Sequence, residues 1–292
     1  MRLRFQRATT AEPATAAPTT GAPTTAVTSA DRRRPQFGEE GGRLSYGAYL
    51  RVGELLALQR PQATPEAHDE LLFIIVHQAY ELWFKQVLHE LSSSVEEMVS
   101  GAPARARHLL ERVHAIERVL IEQVAVLESM SPQDFLEFRT NLAPASGFQS
   151  VQFREIEFVS GLKDRAYLDR LELTSEERAR LEQRLVSPTL WDGFCALLGG
   201  RGLEMPADEL TRRESLLRVA REREEFSDEF YLSEALLTHD ELFAIWRQRH
   251  VLMVERQIGT KSGTGGTTGA AYLRSTLDKR FYPELWELRS YL

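Results

Sequence analysis

The sequence predicts an all-helical fold, and two observations carry that reading. Signals that start and stop helices recur along the chain, and no segment alternates apolar and polar residues with a period of two between hairpin turns. Residues 1–42 stand apart from this pattern. They form an Ala/Thr/Pro tract (TTAEPATAAPTTGAPTTAVTS and its flanks) with almost nothing to bury, which predicts a disordered tail. The tract's early arginines and scarcity of acids are shared by transit peptides, but it lacks the apolar centre of a secretory signal. Residues 43–292 are long enough to bury one substantial core and are read as a single helical domain.

A first helix is predicted over 45–58. The second, over 65–98, takes Thr64 as its N-cap, Pro65 at the first helical position and Glu66 in the first turn. It contains the run LLFIIV (71–76), which is apolar all round and predicts a central buried helix. Further helices are placed at 103–130, 132–140 and 148–162. Thr174 and Glu177 have capping-box spacing and open 175–186. Ser187-Pro188 opens 188–198, which Gly199 and Gly200 stop. Helices at 207–222 and 229–236 follow. Thr238 and Glu241, again at capping-box spacing, separate the latter from 239–258, and 270–278 ends the series.

Composition narrows the function classes. The chain is 42% hydrophobic with a formal net charge of −7, ordinary values for a globular protein, and the mild acidity gives no reason to expect nucleic acid as a partner. No apolar run approaches the roughly 18 residues of a membrane span. The one cysteine, Cys195, excludes an intramolecular disulfide and any cysteine-built zinc or iron–sulfur site within one chain, and its setting in LWDGFCALL reads as core.

The histidines carry the chemistry. Phe243, Trp246, His250 and Met253 recur at spacings of three, four and three, so His250 lies in the middle of an apolar stripe. His77 ends the LLFIIV run four residues after Phe73, a desolvated position that favours the neutral imidazole. His68, His89, His108, His114 and His239 sit among charged residues or at a helix start and are read as solvated. Two apolar helices, each offering a neutral histidine, suit either a tightly packed core or a flat aromatic cofactor such as haem. The pattern alone leaves both open.

Three longer segments go further: HDELLFIIVHQAYELWFKQVLHEL (68–91), FLEFRTNLAPASGFQSVQFREIEF (135–158) and WRQRHVLMVERQIGTKSGTGGTTGAAYL (246–273). With LSYGAYL (44–50) and FYPELWELR (281–289), they resemble the tryptophan 2,3-dioxygenases in order and in spacing, from residue 43 onward. The resemblance implies a helical bundle enclosing haem b (iron protoporphyrin IX), one per subunit, in a cytoplasmic homotetramer with no membrane or nucleic-acid partner. It implies a reaction in which O2 is inserted across the indole C2–C3 bond of L-tryptophan to give N-formylkynurenine, the first step of tryptophan catabolism by the kynurenine route.

Residue by residue, the resemblance makes His250 the iron ligand and puts Ser146 and Gly147 beside the haem. His77 is implied as the catalytic residue near the indole nitrogen, in a binding strip of Phe73, Ile74, Ile75, Val76 and His77. Arg139 is implied to grip the substrate carboxylate, with Phe135 lining the same site and Thr264 contacting the substrate's ammonium and carboxylate. Tyr46 and Tyr49 are implied to enter from a neighbouring subunit. The Gly/Thr strip after Gly259 would then be a lid, a better reading of GTGGTTG than a phosphate loop, which needs a preceding strand and a Gly-Lys-Ser/Thr ending. Two positions depart from the pattern that the resemblance implies: Phe135 stands where some bacterial members have tyrosine, and Val124 where bacterial relatives often carry tryptophan. A related haem oxygenase acting on a substituted indole is the alternative reading, and a haem-free helical interaction protein is the third.

Overall fold

The computed structural model describes residues 44–292 except Thr267, so the predicted tail over 1–42 lies outside the described residues. The described residues are helical, with turns and loops between the helices and no strand. The chain divides into two units after Leu55.

The described part of the first unit holds two one-turn helices, α1 (Tyr46–Tyr49) and α2 (Val52–Leu55), neither with a buried residue. They replace the continuous helix predicted over 45–58. Arg51 has φ 51°, a left-handed conformation that an L-residue helix cannot propagate through.

The second unit is built on three long helices: α3 (Glu70–Val99), α4 (Pro103–Glu128) and, later in the chain, the 32-residue helix Ser227–Ile258. The α3 helix starts at Glu70 and not at Pro65. The buried Glu70 carboxylate accepts the Gln62 and Ala63 backbone N–H groups at 2.8 and 2.9 Å, which holds the incoming chain turned back on the first helical turn. The LLFIIV run is not buried all round either: Leu71 and Ile75 are 45% and 47% exposed, and only Val76 is fully buried. The core face of α3 lies further on, at Tyr80, Phe84, Val87, Leu91, Val95 and Met98, spaced three and four apart.

Between α4 and the last long helix come α5 (Pro132–Leu142), a 3-10 turn (Gly147–Gln149), α6 (Val151–Ser160), α7 (Tyr167–Arg170), α8 (Ser175–Val186), α9 (Leu190–Gly200) and α10 (Glu209–Arg221). The predicted Thr174–Glu177 capping box is formed in full. That of α9 is built by Thr189 and Asp192, which leaves Ser187-Pro188 outside the helix it was expected to open. The α7 turn was not expected.

The long helix α11 (Ser227–Ile258) fuses the two helices predicted over 229–236 and 239–258. Thr238 does not cap: its hydroxyl donates back to the Glu234 carbonyl at 2.9 Å, as a mid-helix threonine can. His239 and Asp240, just beyond it, are fully buried. His239 bonds Ser160 Oγ at 2.8 Å and Glu117 Oε1 at 2.7 Å, while Asp240 Oδ2 accepts the backbone N–H groups of Phe281 and Tyr282 and the indole N–H of Trp286. These bonds pin the C-terminal segment, including α12 (Ala270–Arg274) and α13 (Pro283–Leu288), to the bundle from one end. The helix predicted over 270–278 thus ends at Arg274, and α13 was not expected.

Two of the five histidines read as solvated are therefore core residues. His114, the second, is 6% exposed and its Nε2–H donates to the Ala235 carbonyl at 2.9 Å. His68, His89 and His108 are exposed as expected. Cys195 is half-buried, and burial pushes its thiol up to about 12, which leaves it without nucleophilic character at neutral pH. No helix among the described residues is long and apolar enough to cross a membrane.

Candidate active site

The α3, α4, α5, α6 and α11 helices enclose a cavity of about 260 Å³, closed on one side by the segment between Gly263 and Thr276. Phe73 and His77 of α3, Phe135 and Arg139 of α5, Ser146 and Gly147 of the 3-10 turn, His250 of α11 and Thr264 of the loop all line it. Ile74, Ile75 and Val76 do not line it: Ile75 is 47% exposed and Val76 packs in the core. Successive helical positions turn by about 100°, so Phe73 and His77 share a face that the three residues between them leave. Tyr46 and Tyr49 belong to the first unit and are 78% and 71% exposed.

The two cavity histidines differ in a way that matters chemically. The Nδ1–H of His77 donates to the Phe73 carbonyl at 2.7 Å, and that bond fixes the tautomer and leaves Nε2 with its lone pair. Burial lowers the His77 pKa below 6.5 and keeps the ring neutral. His250 has no hydrogen-bond partner on either nitrogen among the described residues. Its ring stacks on Trp246 at 5.1 Å between centroids and 7° between planes. Desolvation, reinforced by His77, lowers its pKa to about 4. His250 is a neutral imidazole with a free lone pair in an apolar cavity, the form in which histidine binds a metal. Among the described residues no group of three or more His, Cys, Asp or Glu side chains stands ready to bind a metal ion, so what this cavity offers a metal is single imidazole nitrogens, on His250 and on His77.

Aromatic rings supply the walls. Phe135 stacks on Phe73 at 5.7 Å, and Phe153 packs on Trp246 and Phe243 at 5.3 Å each. Val124 is buried and lines the cavity. A methyl added at Gly147, an exposed residue at the cavity rim, would meet no atom within 4 Å. At the mouth, Arg139 donates to the Ser262 carbonyl and the Thr264 hydroxyl donates to the Ala145 carbonyl at 2.6 Å.

One part of the cavity was not anticipated from the sequence. Arg154 and Arg247 are both buried and share the carboxylate of Glu157, at 2.5 and 2.9 Å, and all three line the cavity. Arg154 also lies over the Tyr167 ring at 4.3 Å, and its Nε has no partner among the described residues. Two guanidiniums thus share one carboxylate at this wall, with the buried Asp240 near enough to act on Arg247 as well. The only signal in the sequence was the i, i+3 spacing of Arg154 and Glu157, which is unremarkable by itself.

Comparison with known proteins completes the description. The family described as "Tryptophan 2,3-dioxygenase" matches residues 29–187 and 200–292. A protein of that name from a Nocardioides species is 57% identical over 261 residues, covering 88% of this chain and 97% of that one. Proteins of the same name from Herpetosiphon aurantiacus and Anaeromyxobacter dehalogenans are 45% and 44% identical, each over 85% of this chain and 98% and 96% of their own.

Proposed function

The chain belongs to the tryptophan 2,3-dioxygenase family, and from that membership we propose that it inserts O2 across the indole C2–C3 bond of L-tryptophan to give N-formylkynurenine. Both oxygen atoms stay in the product, so no external reductant is consumed. The reading includes one haem b per subunit, a homotetramer in the cytoplasm to which Tyr46 and Tyr49 contribute across a subunit boundary, and a helical haem dioxygenase domain over 43–292.

The observation that carries the reading is the pairing of His250 and His77 in one cavity. His250, neutral and without a protein partner, is suited to hold the haem iron, with Trp246 stacked against its ring to fix its orientation. Ser146 and Gly147 would border the porphyrin where a side chain is lacking. The guanidiniums of Arg154 and Arg247 at the cavity wall are groups of the sign that suits the cofactor's carboxylates. Haem, when bound, supplies the iron chemistry that makes dioxygen reactive toward an electron-rich double bond.

The chain's own residues select and orient the substrate. The His77 Nε2 lone pair accepts a hydrogen bond from the indole N–H, since Nδ1–H is already committed to Phe73. The indole N–H is far too weak an acid for a neutral imidazole to deprotonate, so His77 holds the ring in place and removes no proton. Phe73 and Phe135 pack against the indole faces. Arg139 offers a planar fork to the carboxylate, exchanging the Ser262 carbonyl for a charged partner, and Thr264 stands at the same mouth. The aromatic enclosure excludes water from the reacting atoms.

One absorption experiment tests this. Haem-supplemented, reduced protein is mixed with L-tryptophan in air and followed from the Soret region into the near ultraviolet. A Soret shift with growth of N-formylkynurenine absorbance is expected. A Soret band with no product from L-tryptophan, but product from a ring-substituted analogue, would overturn the choice of substrate.

A further inference from the structure

The loop after α11 touches the cavity rim at one very close point. A Cβ built on Gly265 would stand 2.5 Å from Ser146 Cβ, 3.1 Å from Ser146 Oγ and 3.6 Å from the Pro144 carbonyl oxygen. Unlike Gly266 and Gly269, Gly265 does not have a positive φ, so its backbone accepts an L-residue and only the contact forbids a side chain. Ser146 cannot easily give way. Its Oγ accepts the Phe148 N–H at 3.3 Å and its own N–H donates to Gln149 Oε1 at 3.1 Å, the two halves of a capping box. On the N-terminal side of Gly265 the loop is tied down as well: the Ser262 carbonyl accepts from Arg139, and Thr264 Oγ1 donates to Ala145.

We propose that Gly265 is a positioning residue for the head group of an α-amino acid. Its missing side chain lets the loop seat on Ser146, and that seating sets the Ser262 carbonyl, an acceptor, beside the Arg139 guanidinium, a donor. The pair matches a zwitterion. This inference rests on the tryptophan-binding role proposed above: the incoming carboxylate takes the Arg139 guanidinium, and the Ser262 carbonyl so released accepts from the ammonium group. Arg139 is carried by α5 and not by the loop, so the two halves of the head-group site are separable.

The test is a binding comparison on the haem-loaded full chain under nitrogen, with L-tryptophan and with indole-3-propionate, which keeps the ring and carboxylate but lacks the ammonium. Affinities are read from the Soret change and by calorimetry, so turnover is not needed. G265A is expected to weaken L-tryptophan binding roughly tenfold or more, the scale of an overpacked contact. Indole-3-propionate should bind G265A as well as it binds the wild type, or better, because the Ser262 carbonyl no longer competes for Arg139. In an S146G background, where the obstructing Cβ is gone, adding G265A should cost L-tryptophan affinity less than about threefold, a coupling that loss of folding would not produce. Equal weakening of both ligands by G265A, an unchanged affinity for L-tryptophan, or an undiminished penalty in the S146G background would overturn the proposal. A wild-type protein that binds neither ligand would instead count against the tryptophan reading itself.

Discussion

His114 offers a quantitative test of how the bundle is held together. It lies 6% exposed between α4 and α11, with its Nε2–H on the Ala235 carbonyl. Desolvation first, and the nearby His239 second, lower its pKa from 6.5 to about 4. Between those values the unfolded chain binds a proton at this site that the folded chain refuses. Stability from this group is therefore fully present above pH 6.5 and is lost as the pH falls toward 4. The whole interval corresponds to about 3.4 kcal/mol, of which about 2 kcal/mol is gone at pH 5. The perturbation is H114Q, which keeps a donor for the Ala235 carbonyl but has nothing to titrate. Urea unfolding of wild type and variant, followed by far-ultraviolet circular dichroism at pH 7.5, 6.5, 5.5 and 5.0 in the same haem state, gives the difference directly. Other acid-sensitive groups cancel in that difference, including His250 and His77, whose shifts have the same sign. Relative to H114Q, wild type should lose about 2 kcal/mol between pH 7.5 and 5. Parallel curves over that range would refute the argument, because they would mean that His114 takes up its proton as readily in the fold as out of it.

Other outcomes follow from the site. H250A should fail to retain haem, measured as the Soret absorbance left after gel filtration; retention at the wild-type level would remove His250 as the ligand. H77A should lower kcat/KM about tenfold, the worth of one positioning hydrogen bond, and the wild-type kcat/KM should stay flat from pH 8 down to at least 6.5, since the His77 ring is held neutral below its ordinary range. R139Q should raise KM for L-tryptophan by about a hundredfold or more through loss of the charged fork, with a smaller effect on kcat; an unchanged KM would dissociate Arg139 from the carboxylate. D240A leaves three donors, at Phe281, Tyr282 and Trp286, without an acceptor, and should cost about 3–5 kcal/mol in denaturant unfolding; a loss below about 1 kcal/mol would show that the C-terminal segment is held by packing alone.

The helical class was legible because its evidence is local, and the errors fall where a distant partner overrides a local signal. Thr174 caps α8 with Glu177, a bond between residues three apart that the sequence displays. Thr64-Pro65-Glu66 looks as good on paper, yet the start of α3 is set by Glu70 reaching back to Gln62 and Ala63. Thr238 has the spacing of a cap but lies in a helix whose continuation is secured by Ser160, Glu117 and the C-terminal segment, all more than 40 residues away in sequence. The inward stripe of α11 in that region is Ala235, Leu236, His239, Asp240, Phe243 and Arg247, all buried. Half of it is polar, so an apolar periodicity cannot find it, and His239 beside Asp240 and Glu241 reads as solvent-facing when its side chain in fact lies in the core.

The site divides along the same line. Phe73, His77, Phe135, Arg139, Ser146, Gly147, His250 and Thr264, named through a family resemblance, do meet around one cavity. Spacing alone would have favoured only the same-face pairs Phe73–His77 and Phe135–Arg139, each four apart. Including Ile74, Ile75 and Val76 treated a run as a surface, whereas a helix presents to a cavity only every third or fourth residue. Arg154, Glu157 and Arg247 show what no single segment reveals. A buried carboxylate shared by guanidiniums from two helices is costly unless the charges meet with good geometry. That arrangement exists only once α6 and α11 are packed together, and it is the packed cavity, more than any motif, that ties α11 to the rest of the site.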